Sequence, residues 1–143
     1  MSDRKRQNII TTHSTKETIA VGKEIATSLK SGDIIYLYGD LGSGKTVFVK
    51  GVCQGLGVKE EVTSSSFVIA TEYKGRMPIS HIDLYRLQRR DIAALPIDEY
   101  IIEHGVTIIE WADRINGNKK GLCVNIDIKG KNVREIKIED FRD

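Results

Sequence analysis

The chain has 143 residues, a length that fits one domain of ordinary size and leaves little room for a second. Apolar residues make up 40% and charged residues 29%, and no stretch approaches the ~18 consecutive apolar residues of a membrane span. The formal net charge of +2 is too small to favour a strongly electropositive nucleic-acid binder. These values exclude integral membrane, collagen-like and wholly disordered proteins.

The cysteines and the first residues indicate the cell compartment. The chain starts with three basic residues among its first six, but no apolar run of signal-peptide length follows, so we expect a cytoplasmic protein. Cys53 and Cys123 do not form a CxxC pair and are too few for a disulfide framework, so we expect reduced, buried thiols. Basic clusters at residues 4–6, 86–90 and 119–120 are typical of solvated surface, and neither membrane nor DNA contact is expected.

The first half of the chain predicts a helix, a strand and a second helix. Apolar spacing predicts the first helix over residues 15–30, opened by Ser14 and Glu17 in the pattern of a capping box. The apolar run over residues 34–38 is typical of a strand buried on both faces of an α/β sheet. A glycine-rich turn over residues 39–44 then precedes a helix over residues 45–54.

The second half predicts two hairpins around one more buried strand. Residues 67–73 and 78–84 read as strands joined by a short turn, and a mixed helical region follows over residues 87–103, interrupted near Pro96. Residues 106–109 predict a short buried strand, and residues 122–128 and 133–138 alternate as a final hairpin does. Helices covering a mixed, largely parallel sheet with added antiparallel hairpins form the predicted α/β architecture.

The turn between the first predicted strand and the second helix carries a phosphate-binding motif. Its eight residues read GDLGSGKT and satisfy GxxxxGK[ST] at every fixed position. A strand entering and a helix leaving such a loop direct backbone N–H groups and the helix N-terminus toward one anion. Lys45 can reach the β- and γ-phosphates, and the Thr46 hydroxyl can bind Mg²⁺. We therefore predict a single P-loop NTPase-like domain over residues 1–143, a three-layer sandwich, with nucleotide-binding residues Asp40, Leu41, Gly42, Ser43, Gly44, Lys45 and Thr46.

Phosphate chemistry also needs a carboxylate near the metal, and three acidic residues end strand-like runs. They are Asp83, Glu110 and Asp127, and strand ends in α/β sheets face the ligand crevice, so each is a candidate. Sequence spacing alone does not choose among them. Asp127 also begins a DxxG match typical of GTPases, but the chain has no NKxD guanine-reading motif, so we interpret this match as a turn.

Several motifs at set intervals resemble one bacterial family, TsaE (also called YjeE), the P-loop ATPases of tRNA threonylcarbamoyladenosine biosynthesis. The resemblance covers nearly the whole chain. It depends on the P-loop with Phe48 and Gly51 after it, HIDLYRL at residues 81–87, DEY at residues 98–100 and IEW at residues 109–111. The combination is far more specific than the P-loop by itself.

The resemblance implies roles for individual residues. Thr46 and Glu110 are expected to coordinate Mg²⁺, with Asp83 close to the metal and the γ-phosphate, so the implied catalytic set is Lys45, Asp83 and Glu110. It further implies that Thr15 lies near the adenine, and that Arg134 and Trp111 lie beside the nucleotide. From its residue type alone, Trp111 could equally be an indole anchored in the core. His81 is expected either to help order Asp83 or to be a buried structural residue.

The resemblance also implies an activity and partners. The chain would hydrolyse ATP with Mg²⁺ and bind TsaD and TsaB, which transfer a threonylcarbamoyl group to adenosine 37 of tRNA, so that their complex turns over repeatedly. It would meet tRNA only through that complex. Two alternatives stay open, a small-molecule kinase on the same P-loop and a nucleotide-gated binding module that does not hydrolyse ATP.

Two positions depart from the family pattern. The family segment VxSPTF reads VTSSSF at residues 62–67, so Ser65 replaces a proline while Ser66 keeps a hydroxyl, and we expect a more mobile loop. Pro96 stands where the family has glycine, and we expect it to change the local helix geometry.

Overall fold

The computed structural model describes residues 6–40, 42–60, 70–85, 87–115 and 119–142. Within these ranges the strands are β1 (Arg6–Thr12), β2 (Ile34–Tyr38), β3 (Ala70–Lys74), β4 (Pro78–Asp83), β5 (Val106–Glu110), β6 (Leu122–Ile128) and β7 (Arg134–Asp140). The α-helices are α1 (Thr15–Ala26), α2 (Lys45–Gly55) and α3 (Arg89–Ala93), and 3₁₀ helices occupy Ile97–Tyr100 and Ala112–Arg114.

The described strands form one mixed sheet in the order β1-β7-β6-β2-β5-β4-β3. Its centre is parallel, because β2 pairs in parallel with both β5 and β6, and β5 pairs in parallel with β4. The flanks are antiparallel, through the β3–β4 and β6–β7 hairpins and the β1–β7 pair. The predicted α/β class, the mixed sheet and both hairpins are therefore confirmed, with the parallel part restricted to four central strands.

Alternate residues of β2 enter two separate cores. Ile35 and Leu37 are fully buried with α2 residues such as Phe48, on the face that α1 and α2 cover. Tyr36 enters the other core, where Ile92 of α3 belongs to the same cluster. Both faces of the central strands are thus covered, which explains why the β2 sequence is apolar without alternation.

The two long helices touch at glycines. A Cβ on Gly22 would lie 2.6 Å from the Phe48 carbonyl oxygen, and a Cβ on Gly51 would lie 2.3 Å from the Ile19 carbonyl oxygen. Side-chain carbons do not approach backbone oxygens so closely, so both positions require glycine. This contact brings the first turn of α1 next to the loop that precedes α2.

The first helix differs from its prediction at both ends. Ser14 caps it by accepting a hydrogen bond from the Glu17 N–H at 3.1 Å. The Glu17 carboxylate accepts from the His13 N–H at 2.8 Å, one residue earlier than a capping box requires. The helix ends at Ala26 rather than near residue 30, and Thr27 and Ser28 donate their hydroxyls to carbonyls of its last turn. Such local bonds compete with helix continuation.

Other segments also depart from the predictions. Strand β1 was not predicted; it is an edge strand paired only with β7 among the described strands. The mixed helical region, by contrast, is interrupted near Pro96 as predicted, between α3 and a 3₁₀ helix that starts at Ile97. Cys53 is buried as expected, whereas Cys123 is partly exposed, and neither of these described cysteines forms a disulfide bond. The predicted loop over residues 62–67, including Ser65 and Ser66, lies outside the described residues.

Among the described residues, no helix combines the length and the apolar character needed to cross a membrane.

We expect Gly51→Ala to lower the free energy of unfolding by at least about 1 kcal/mol, since overpacking of this kind costs about 1–3 kcal/mol. The loss should occur even though alanine favours an isolated helix by about 1 kcal/mol. Urea denaturation measures it, with Gln54→Ala at an exposed position of α2 as the control. Unchanged or raised stability in Gly51→Ala would contradict the close approach of the helices.

Candidate functional site

The loop before α2 has an open concave side. Gly42 and Gly44 have φ angles of +81° and +107°, conformations that residues with a Cβ rarely adopt. A Cβ at either position would meet nothing within 4 Å, so the backbone here faces open space. The N-cap residue of α2 is Gly44, which has no side chain that could cap the helix. The amides at this helix end are therefore left to a ligand, and an anion fits them.

Ser43 adds an unpartnered polar group beneath the same loop. Its side chain is 1% exposed, and its hydroxyl has no hydrogen-bond partner among the described residues. Its backbone N–H donates to the Asp40 carbonyl at 3.0 Å, which closes the turn. Leu41, also predicted to bind nucleotide, lies outside the described residues.

Lys45 folds back onto its own loop. The side chain is only 6% exposed, and Nζ donates to the Gly39 carbonyl and, at 3.1 Å, to the Asp40 carbonyl. Burial lowers the pKa of this ammonium group, while the charges of Glu110 and Asp83 oppose the shift. A phosphate would offer Nζ a charged acceptor in place of two neutral carbonyls, and charge-assisted hydrogen bonds are about twice as strong.

The sheet register separates the three candidate carboxylates. Asp83 of β4 is directly opposite Glu110 of β5, and Glu110 is opposite Leu37 of β2, so both carboxylates lie on the face that α2 covers. In β6, Ile126 is buried on the face that α2 covers. The next residue, Asp127, therefore lies on the opposite face, where its side chain is exposed. The structure thus brings together Asp83 and Glu110 and leaves Asp127 apart.

Glu110 is held by a buried histidine. His81 Nε2 lies 2.6 Å from Glu110 Oε2, and the two side chains are 3% and 4% exposed. The alternative in which His81 helps to order Asp83 is not what forms. Asp83 is two residues after His81 in the same strand, so their backbones are about 6.6 Å apart, whereas Glu110 is in the neighbouring strand β5.

Asp83 lies nearer the surface than Glu110. Burial raises the pKa of its carboxyl group, and the nearby Glu110 charge adds to the increase. The Tyr85 N–H donates to Asp83 Oδ1 at 3.0 Å and opposes this increase. The carboxylate is therefore oriented by the turn that follows β4.

Trp111 packs against the P-loop lysine. Lys45 Nζ lies 4.0 Å from the centroid of the indole ring, within the range of a cation–π contact. Among the described residues, Trp111 is the only non-glycine residue with positive φ, at 61°. This backbone conformation ends β5 abruptly, so the chain turns immediately after Glu110.

A cleft of about 150 Å³ lies beside the loop, lined by Ser14, Thr15, Thr18, Gly42, Ser43, Gly44, Val47, Asn132 and Arg134. Thr15 and Arg134, both placed near the nucleotide by the resemblance, therefore come together next to the P-loop. Asn132 joins them from the turn of the final hairpin. Nothing in the sequence distinguished this asparagine from an ordinary turn residue.

Arg134 fastens that hairpin to the P-loop. Its Nε donates to the Ser43 carbonyl at 2.9 Å, and Nη2 lies 3.4 Å from the Gly42 carbonyl. Its Nη1 donates to the Gly130 and Val133 carbonyls, both at 3.1 Å. The guanidinium group thus holds the loop through its main chain.

Mg²⁺ prefers oxygen ligands and keeps several waters. The oxygen groups that would hold such an ion are the hydroxyl of Thr46, in the first turn of α2, and the carboxylates of Asp83 and Glu110. No cage of three or more acidic, histidine or cysteine side chains occurs in the described part of the chain. One hydroxyl and two carboxylates would leave the remaining positions of a Mg²⁺ ion to water and phosphate.

The sheet, the P-loop before α2 and the two carboxylates define an α/β domain of the P-loop NTPase type. A family model described as "Threonylcarbamoyl adenosine biosynthesis protein TsaE" matches residues 12–138. The chain belongs to the TsaE family.

Individual relatives agree with this assignment. The chain is 41% identical over 124 residues to the tRNA threonylcarbamoyladenosine biosynthesis protein TsaE of Bacillus subtilis (strain 168), covering 85% of this chain and 78% of that protein. It is 35% identical over 117 residues to the protein of the same name from Treponema pallidum (strain Nichols), covering 81% and 87%.

A solved structure has the same fold. The crystal structure of YdiB from Bacillus subtilis superposes with a TM-score of 0.82 at 36% identity, covering 98% of this chain and 89% of that one. The predicted fold class and the predicted family are thereby confirmed. The roles given to single site residues stay predictions.

We expect His81→Leu to lower the free energy of unfolding by about 3 kcal/mol, because it leaves the buried Glu110 carboxylate without its partner. Chemical denaturation measures the loss, and His104→Leu, at an exposed histidine, is the matched control. In the double variant with Glu110→Gln, the loss should be smaller than the sum of the single losses. Losses that add within about 0.5 kcal/mol would show that the pair is not coupled.

Proposed function

We propose that this chain is a Mg²⁺-dependent ATPase that acts in tRNA threonylcarbamoyladenosine biosynthesis. The observation that carries the proposal is the convergence of the P-loop with two carboxylates on one face of the sheet. Lys45, Asp83 and Glu110 come from three separate parts of the chain, and the register of β4 and β5 brings the two carboxylates together. A loop that only bound phosphate would not need the second and third of these groups.

The P-loop residues have the binding role in this proposal. The open N–H groups at the start of α2 take the phosphate oxygens, and Lys45 exchanges its carbonyl partners for the β- and γ-phosphates. Thr15 and Arg134 line the cleft beside the loop, which is where the rest of the nucleotide would lie. The ligand that the proposal assigns to this cleft is ATP.

In this proposal the two carboxylates hold the metal ion that stabilises the charge developing on the phosphates. Mg²⁺, held by Thr46 with Glu110 and Asp83, would neutralise charge that builds on the phosphates during transfer. His81 keeps the Glu110 carboxylate fixed, and the Tyr85 N–H fixes that of Asp83. Fixed groups need no reorganisation when the charge develops, and this is how such sites gain rate.

The proposed partners follow from membership of the TsaE family and from the motifs that this chain shares with it. The relatives carry the pathway in their names, as tRNA threonylcarbamoyladenosine biosynthesis proteins. We propose TsaD and TsaB as the proteins whose turnover the ATPase cycle supports, with tRNA reached through them, in the cytoplasm. The formal net charge of +2 supports an indirect contact with tRNA rather than a strong direct one.

Glu110→Gln should keep nucleotide affinity and lose most ATP turnover, because the lost charge acts mainly during transfer. We expect turnover to fall by about 100-fold or more, a typical effect of removing one electrostatic group. Calorimetry with Mg·ADP measures binding, and phosphate release with TsaD and TsaB present measures turnover. Asp127→Asn, an exposed carboxylate on the opposite face, is the matched control. Damage by Asp127→Asn with a silent Glu110→Gln would reject this choice of carboxylate.

Depletion of this protein in its native cell should lower threonylcarbamoyladenosine in tRNA. Mass spectrometry of digested tRNA gives the amount, and the wild-type gene should restore it. Lys45→Ala should fail to restore it because it lacks the cation that reaches the phosphates. Unchanged modification in depleted cells, with no other ATPase substituting, would reject the pathway assignment and favour a metabolite kinase.

A further inference from the structure

We infer that Arg114 is a positioning residue for the ATP-consuming step, acting through Trp111 and through the turn after Asp83. The inference rests on the proposed ATPase function. Arg114 belongs to the 3₁₀ helix that follows β5, and no motif in the sequence marks it.

Arg114 gathers the main chain of the segment that follows β4. Its Nη1 lies 2.8 Å from the Leu84 and Leu87 carbonyl oxygens and also hydrogen-bonds to the Tyr85 carbonyl. The N–H of the same Tyr85 donates to Asp83 Oδ1 at 3.0 Å. The guanidinium group therefore fixes the turn whose amide orients the Asp83 carboxylate.

Arg114 also supports the aromatic pair beside the P-loop. Its guanidinium carbon lies 5.0 Å from the Trp111 ring centroid and 5.9 Å from that of Tyr85, and the two rings are 5.1 Å apart. The positive φ of Trp111 is strained for an aromatic residue, so the surrounding contacts must hold it. Cation–π contacts of about 0.5–2 kcal/mol supply part of that support.

Trp111 carries this support to the phosphate-binding lysine. Lys45 Nζ lies 4.0 Å from its ring centroid, so the position of the indole limits where the ammonium group can rest. The Arg114 side chain is thus connected to two side chains of the proposed catalytic site. It reaches Asp83 through the Tyr85 N–H and Lys45 through the Trp111 indole. A misplacement of about 1 Å in such groups can lower turnover about 100-fold.

Lysine should not replace this arginine. Arg114 meets the carbonyls through Nη1 while the flat guanidinium group lies near both aromatic rings. An ammonium group could still donate to carbonyls, but it has no flat surface for the rings. Arg114→Lys therefore tests the geometry with the charge retained, and Arg114→Ala removes both. The matched control is Arg76→Ala, since Arg76 is exposed in the turn at the other end of β4.

Three readouts separate positioning from other roles. Trp111 is the only tryptophan in the chain, so its emission reports its surroundings in the absence of nucleotide. Both Arg114 variants should shift this emission to longer wavelength and lower kcat about 10- to 100-fold, with TsaD and TsaB present. The Mg·ADP dissociation constant should change less than about threefold, because the backbone N–H groups of the P-loop bind the phosphates. Arg76→Ala should match wild type in all three measurements.

The inference is overturned if Arg114→Lys is folded and has the wild-type emission and kcat. It is also overturned if the loss in kcat is matched by an equal loss in Mg·ADP affinity, which would indicate direct ligand contact. Circular dichroism checks folding, and Arg114→Lys carries the test if Arg114→Ala does not fold. A wild-type protein without ATP turnover would reject the proposed function, and the emission shift would still decide whether Arg114 holds Trp111.

Discussion

The site depends on one register, in which Leu37, Glu110 and Asp83 lie side by side across β2, β5 and β4. A slip of one residue in either parallel pair would turn a carboxylate to the opposite face, away from α2. The buried residues before them, Ile108 and Ile35, fill the core under α2 and make such a slip costly. The same packing that stabilises the sheet therefore places the carboxylates beside the phosphate-binding loop.

The charges in this small space would favour a bound cation. Glu110 and Asp83 are two carboxylates near the single ammonium group of Lys45, and all three are at least partly buried. Burial raises the pKa of Asp83 and lowers that of Lys45, so both charged forms are disfavoured without a ligand. A bound divalent cation would neutralise the two carboxylates, and the phosphate bound with it would pair with the Lys45 ammonium group.

The sequence predicted those parts of the fold and site whose signals are local. The apolar run of β2, the P-loop pattern and the alternation of the last hairpin each depend on neighbouring residues, and each has its predicted structure. Spacing alone left Glu110 and Asp127 equal and only the resemblance favoured Glu110, whereas the register, which joins residues far apart in sequence, puts the two on opposite faces. Strand β1 was missed for a similar reason, because it is defined by pairing with β7, more than a hundred residues away. The Glu110 partner of His81 likewise lies 29 residues further along the chain.

Two arginines hold this site, and both do so through main-chain carbonyls. Arg134 bonds the carbonyls of Gly42 and Ser43, and Arg114 gathers those after Asp83. A carbonyl is present whatever the side chain, so the segments that these arginines hold need no particular residues for the contact. Such contacts leave no motif in a sequence, whereas residues that face the ligand must have a particular chemistry at a fixed spacing. The resemblance had placed Arg134 near the nucleotide, but the carbonyls that it binds, and the whole role of Arg114, become visible only when the chain is folded.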